Sequence, residues 1–170
     1  MDNPRTVILG IDPGLSVTGY GVVEIVKNRA FSLGFGGIYN RGKDKSIAEK
    51  LETIYDGIRE VVLKYQPGHC AIEDVFYHEN VNTAIVMGHA RGVAMLVAKQ
   101  TGIDVYEYAA REVKMSTVGN GAASKQQVQS MVKNLLRLPE PPKPQDAADA
   151  LAVALCHYHR IKFRMIKKAL

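Results

Sequence analysis

Val7-Ile8-Leu9-Gly10-Ile11-Asp12-Pro13-Gly14 is the stretch that decides how this chain folds. Val7 to Ile11 is an apolar run rich in β-branched side chains, the composition of a buried strand, and Pro13-Gly14 is a strong turn signal. Asp12 therefore stands at the carboxyl end of a core strand. An ionised carboxylate in a half-buried place is costly unless a cation or hydrogen-bond donors offset it. A strand that ends this way points to a site.

Working outward, the pattern predicts strands over residues 6–12, 19–26 and 29–39. Lys27-Asn28 separates the second from the third, a connection so short that it implies a hairpin, and the three strands form an antiparallel meander. Ser46-Ile47-Ala48-Glu49 reads as a capping box. It opens a helix in which Ile47, Leu51, Ile54, Ile58, Val61, Val62 and Tyr65 recur at helical spacing, until Pro67-Gly68 stops it. A fourth strand, His69 to Val75, carries Glu73. A long helix from about Asn80 to Thr101 follows, apolar all round between Val93 and Ala98. A helix with no polar face needs cover on both sides, which its own core or a second subunit can supply. Then come a fifth strand (Asp104 to Tyr108), a short helix (Arg111 to Val118), a helix from Ser124-Lys125, and a linker with prolines at 139, 141, 142 and 144. The last helix runs from about Gln145 to Lys162. This order indicates an α/β fold, a mixed five-stranded sheet with helices on its faces.

The chain has 170 residues, the size of one domain, with residues from about 160 forming a basic C-terminal tail. Hydrophobic residues make up 46% and charged residues 23%, an ordinary globular balance. The formal net charge of +5 tilts the partners toward polyanions, nucleic acid first. Cys70 and Cys156 show no metal-binding spacing and sit in apolar stretches, as buried free thiols of a reducing compartment do. With no run of 18 apolar residues and no signal peptide ahead of the first strand, the expectation is a cytoplasmic protein without a membrane partner.

Glu73 repeats the anomaly of Asp12. If its strand pairs beside the first, the two acids meet. Asp146 and Asp149, three apart on the last helix with alanines between them, share one face and can approach the sheet closely. Taken singly, Asp146 in a first helical turn is a cap or dipole partner, and a lone strand Glu is an edge or paired residue. Taken together the acids repel, by about 4 kcal/mol per pair at about 4 Å and an effective dielectric near 20. A cluster of three or four needs protonation or a cation. Oxygen-only ligands with room for water favour Mg²⁺ or Mn²⁺, and on a basic protein this is the layout for two-metal phosphodiester hydrolysis.

Several motifs resemble those of the RuvC family of Holliday-junction resolvases. They are Gly10-Ile11-Asp12-Pro13-Gly14, Glu73-Asp74-Val75-Phe76, Gly88-His89-Ala90-Arg91-Gly92-Val93, Glu107-Tyr108-Ala109-Ala110 and Asp146-Ala147-Ala148-Asp149-Ala150-Leu151. They run in order over residues 6 to 160. The resemblance implies an RNase H-like fold and a homodimer that resolves four-way DNA junctions in recombination and repair. It implies paired, symmetric nicks that leave 5′-phosphate and 3′-hydroxyl ends, with two Mg²⁺ per subunit and Mn²⁺ as a substitute. It also implies cooperation with a branch-migration complex of the RuvA–RuvB type. Asp12, Glu73, Asp146 and Asp149 match the family's catalytic and metal-binding acids. Phe76 matches an aromatic near the junction crossover, where stacking on an unpaired base is the physical role, and Tyr77 and Asn80 beside it join the DNA-binding set. Lys114 and Lys125 match basic positions tied to DNA contact and catalysis. His89 and Thr83 depart from the Gln and Ser of the family pattern.

The residues support a DNA partner independently. Arg111, Lys114, Lys125, Lys133 and Arg137 stand against the single acid Glu112 between Ala109 and Arg137. Ser124 can cap a helix whose free amides face a phosphate. Two rivals remain. An ATP-binding phosphotransferase also places Asp-x-Gly at a sheet edge, but needs a second phosphate loop, and no GxxxxGK[ST] appears. A non-enzymatic junction binder gains nothing from four acids near DNA.

Overall fold

The computed structural model describes residues 5–42, 44–74 and 81–169. Its first strands are β1 (Thr6–Asp12), β2 (Val17–Val26) and β3 (Arg29–Tyr39), paired antiparallel. Lys27 and Asn28 both take positive φ, 48° and 61°, in the two-residue hairpin between β2 and β3. That turn matches the right-handed twist of the strands it joins. β2 starts at Val17, two residues before the expected Gly19, because Val17 and Thr18 still pair with Tyr39 and Ile38. Glycine lowers strand propensity, but here the pairing overrides it.

Helix α1 (Ile47–Tyr65) begins with the expected capping box, Ser46 and Glu49 satisfying each other's backbone amides, and ends with Gln66 in the left-handed conformation before Pro67. β4 (His69–Asp74) lies parallel to β1, and β5 (Asp104–Ala109) parallel to β4, after the crossover helix α2 (Val81–Gln100). Val75, at the expected end of the fourth strand, and Asn80, at the expected start of the long helix, lie outside the described residues. Helices α3 (Ala110–Val118), α4 (Lys125–Leu135) and α5 (Gln145–Ala169) complete the chain. The sheet order β3-β2-β1-β4-β5, with its antiparallel meander and two parallel strands, is RNase H-like, as the resemblance implies.

The last helix runs past its expected end near Lys162, through the basic residues, to Ala169. Residues 160–169 hold no glycine or proline to stop it, and cations near a helix C-terminus meet the negative end of its dipole.

Strand alternation feeds two cores. Ile8 and Val23 point to the layer built by α3, α4 and α5, whereas Val7, Leu9, Ile11 and Val22 point to α1 and α2. Within α5, Ala147, Ala148 and every residue from Ala150 to His157 are buried. Burial of Leu151 and Leu155 stabilises the fold by roughly 2 kcal/mol each.

By length and composition α2 could cross a membrane, with a mean hydropathy of 1.3 over its best window. Its placement is that of a domain helix. Ala90, Ala94, Val97 and Ala98 are buried in the core with α1, and Arg91 bridges Asp74 on β4 and Glu107 on β5. The other side, with Val81, Ile85 and Leu96, is exposed. Among the described residues, the all-apolar segment is thus covered on one side only.

Candidate active site

Three glycines let α5 lie directly on the sheet. A Cβ at Gly10 would come within 2.0 Å of the Ala150 carbonyl oxygen, one at Gly19 within 2.0 Å of the Asp146 carbonyl oxygen, and one at Gly21 within 2.6 Å of Leu151 Cγ. Gly10 pairs with Gly21, and Gly19 with Asp12, across β1 and β2. The helix supplies its own small face through Ala147 and Ala150, both fully buried. The first turns of α5, with Asp146 and Asp149, are therefore held over the carboxyl end of β1. On the other side of β1, Glu73 follows the paired residues Ile11 and Ile72 by one position. Residues from three distant segments are brought to one edge of the sheet.

The electrostatics register this convergence. Burial, then the charges of Glu73, Asp149 and Asp146, push the Asp12 carboxyl up to about 8. Glu73 is raised as well, by burial first and then by Asp149. Lys125, the first residue of α4, opposes them, with its Nζ 3.4 Å from Asp149 Oδ2. Burial alone would lower the Lys125 ammonium, but Asp149, Asp12 and Asp146 outweigh that and hold it above its ordinary value. The Ser124 capping box, with Gln127 as its partner, fixes where Lys125 leaves the helix.

A cleft of about 200 Å³ gathers Asp12, Glu73, Asp149, Lys114 and Lys125. Asp146 does not line it, though its charge reaches Asp12. Arg111 is placed elsewhere, its side chain lying against Gly121. Arg137 belongs to a different cleft at the other end of α5. Phe76, Tyr77 and Asn80 lie outside the described residues. Two participants escaped the sequence. Gln145 Nε2 donates to Asp149 Oδ1 at 3.3 Å, one helical turn away, a spacing that could have revealed it. Met87 of α2 lines the cleft wall, and nothing local to its sequence marks it.

Among the described residues, no three Asp, Glu, His or Cys side chains are already gathered as a metal cage. Asp149 is instead engaged by Lys125 and Gln145, which supply the positive charge and donors that its neighbours demand. The donor set nevertheless fits a hard divalent cation. It is all oxygen, it has room for retained waters, and a carboxyl pushed to about 8 is one that lacks a counter-charge. Asp12, Glu73 and Asp149 are the residues that would hold it, with Asp146 beside them.

Fold and carboxylates together define a class, the metal-dependent nucleases built on an RNase H-like sheet. The family model for crossover junction endodeoxyribonuclease RuvC matches residues 8–157. The corresponding enzyme of Tolumonas auensis is 53% identical over 154 residues, covering 91% of this chain and 87% of its own. RuvC of Thermus thermophilus, 33% identical, superposes with a TM-score of 0.83 over 92% of this chain and 97% of its own. The same protein in complex with Holliday junction substrate gives 0.85 at 33% identity, over 92% and 96%. The chain belongs to the RuvC family of crossover junction endodeoxyribonucleases.

Proposed function

We propose that this protein resolves four-way DNA junctions by symmetric paired nicks during recombination and repair, hydrolysing phosphodiester bonds to 5′-phosphate and 3′-hydroxyl ends. The observation that carries this function is the meeting of Asp12, Glu73 and Asp149 with Lys114 and Lys125 in one cleft at the sheet edge. Acids alone would repel a polyanion, and lysines alone would only bind it. The two together suit a backbone that must be both held and cut.

Asp12, Glu73, Asp146 and Asp149 are assigned as the catalytic and metal-holding acids. Two Mg²⁺ per subunit, with Mn²⁺ able to substitute, would supply a nucleophile at neutral pH and charge stabilisation for the leaving oxygen. Gln145 orients Asp149, and α5 keeps it on the side facing β1. Lys114 and Lys125 neutralise the scissile strand's phosphates. Phe76 on the strength of the family pattern, Tyr77 and Asn80 beside it, and Arg111 from the basic run of residues 109–137 complete the proposed DNA-binding set.

A homodimer follows from the task, since a two-fold pair presents two identical sites to a junction with two-fold symmetry. The exposed Val81, Ile85 and Leu96 of α2 support that helix as the contact. The family pattern also supports cooperation with a branch-migration complex of the RuvA–RuvB type and work in the cytoplasm.

The decisive experiment is cleavage of a synthetic four-way junction and of linear duplex with the same arms, with divalent metal and with chelator. Metal-dependent, paired nicking confined to the junction is expected. Equal cutting of both substrates, or cutting in chelator, would overturn the proposal.

A further inference from the structure

Among the described residues, the buried polar side chains are those of Thr18, Thr117 and His157. The two threonines donate to carbonyls four residues back in the chain, Thr18 to Gly14 and Thr117 to Val113. Of the three, only His157 bonds to distant elements. Its Nδ1 lies 2.6 Å from the Tyr108 hydroxyl of β5, and its Nε2 lies 3.0 Å from His69 Nδ1 of β4. The Tyr106 ring lies against the imidazole, with centroids 4.3 Å apart.

The direction of these bonds follows from the groups that make them. Burial pushes His157 down to about 4 and also lowers His69, so near pH 7 both rings are neutral and each donates once and accepts once. Burial pushes the Tyr108 hydroxyl up to about 12, so it keeps its hydrogen. Among the described residues that hydroxyl has no acceptor but His157. Tyr108 therefore donates to His157 Nδ1, and His157 Nε2–H donates to His69 Nδ1. The reverse direction would leave a buried hydroxyl hydrogen unpaired, which is costly.

This bridge ties α5 to the strands that flank the acids. Glu73 is the register partner of Tyr108 and shares with His69 one face of β4. Asp146 precedes His157 by about three helical turns, so the two lie on one face of α5. The helix crosses the sheet with its Asp146 end on Gly19 of β2 and its His157 end on β4 and β5. Close packing on Gly10, Gly19 and Gly21 sets how near α5 comes to the sheet. Small apolar surfaces still let a helix turn about its axis, whereas two directional bonds from one ring do not. A leucine at position 157, like Leu151 and Leu155, would fill the space with no polar group to satisfy. What the imidazole adds is direction.

We propose that His157, held between Tyr108 and His69, is a positioning residue that fixes the rotation of α5 and so the placement of Asp146 and Asp149 against Asp12 and Glu73. The proposal rests on the reading of those acids as a metal-holding nuclease site. Moving a carboxylate by about 1 Å is enough to cost roughly a hundredfold in rate.

The test compares the full chain with three variants by calorimetric titration with Mn²⁺ at pH 8, melting temperature in chelator, and cleavage of a four-way junction. The double variant His157→Leu, Tyr108→Phe removes the bridge without stranding a buried hydroxyl, so its melting temperature should stay close to the parent's. Its Mn²⁺ affinity should fall at least about tenfold, and its cleavage with it. His157→Gln, whose amide can accept from Tyr108 and donate to His69, should recover most of both. Tyr158→Phe removes a different bond at the same end of α5, to the Asn28 carbonyl, and should lower the melting temperature with Mn²⁺ affinity unchanged. Parental affinity in the double variant, an equal loss of affinity in Tyr158→Phe, or no recovery in His157→Gln would each overturn the proposal. A parent that binds Mn²⁺ but leaves junctions uncut would overturn the nuclease reading instead, and the affinities would still decide the role of His157. A parent that takes up no Mn²⁺ would overturn both.

Discussion

The Asp146 carbonyl oxygen occupies the place where any side chain at position 19 would begin, 2.0 Å from a Cβ built on Gly19. Because Gly19 is the register partner of Asp12, the same residue sets the distance between α5 and the strand that carries the central acid. Sheet packing and site geometry are one constraint here.

Gly19→Ala should therefore act on both. Overpacking of this kind costs about 1–3 kcal/mol, and α5 must retreat from β1 to relieve it. The expected outcome is a modest loss of stability in urea with at least a tenfold loss of junction cleavage at saturating metal. Full cleavage by a folded Gly19→Ala protein would show that the α5 acids need not be held so close.

Asp12→Asn should abolish cutting yet leave junction binding intact, by gel shift and cleavage on the same synthetic junction. It should also stabilise the metal-free protein. Asp12 has its folded value raised to about 8 from 3.8, so the folded state binds the extra proton and stability falls as pH rises between those values. In chelator, the melting temperature of Asp12→Asn should match the parent near pH 4 and exceed it at pH 8. The gap corresponds to roughly 2–4 kcal/mol once relaxation reduces the full linkage. A gap that shrinks with rising pH would contradict the buried, unbalanced carboxyl.

Metal binding runs the same linkage in reverse. A cation must displace the Asp12 proton, so apparent Mg²⁺ affinity should climb with pH and level off above about 8. Calorimetry in buffers of different ionisation enthalpy should report proton release below that point and little above it. Adding metal should raise the melting temperature most where the metal-free protein is weakest.

Lys125→Ala removes the ammonium from Asp149 and a cation from the cleft. The slope of log affinity against log salt should fall by about one contact, and cleavage should fall further than binding does. Unchanged slope and unchanged cleavage would remove Lys125 from the site.

Arg91→Met tests a motif that has a structural part. The Arg91 guanidinium joins Asp74 at 3.2 Å and also Glu107, binding α2 to the ends of two adjacent strands. Its loss leaves two like charges on adjacent strands, two register positions apart, at a cost of up to about 1 kcal/mol, measurable as a lower urea midpoint.

How legible all this was in the sequence depended on range. β1 and its terminal Asp12 could be read because an apolar run and a turn are local signals, and so could the capping box at Ser46 and the helix cap at Ser124, though not the Gln127 that completes a second box there. The parallel pairing that brings Glu73 beside Asp12 was expected only as a condition, since nothing local selects a neighbour across a crossover. The glycines at 10, 19 and 21 lowered apparent strand propensity, and their function appears only once α5, more than a hundred residues later, lies on them. The hold of Lys125 and Gln145 on Asp149 was hidden for the same reason, as was the separation of Arg137 from the catalytic cleft. The last helix outran its expected end near Lys162 because nothing local in residues 160–169 marks a stop, neither glycine nor proline.

The acids come from β1, β4 and the last helix, so the order of synthesis matters. A chain still being made carries Asp12 and Glu73 long before Asp146 and Asp149, and lacks the helix that covers one face of its sheet. No fragment that stops short of α5 can assemble the full acidic set. The acidic set proposed to cut DNA is therefore completed by α5, the last of the described elements to be synthesised.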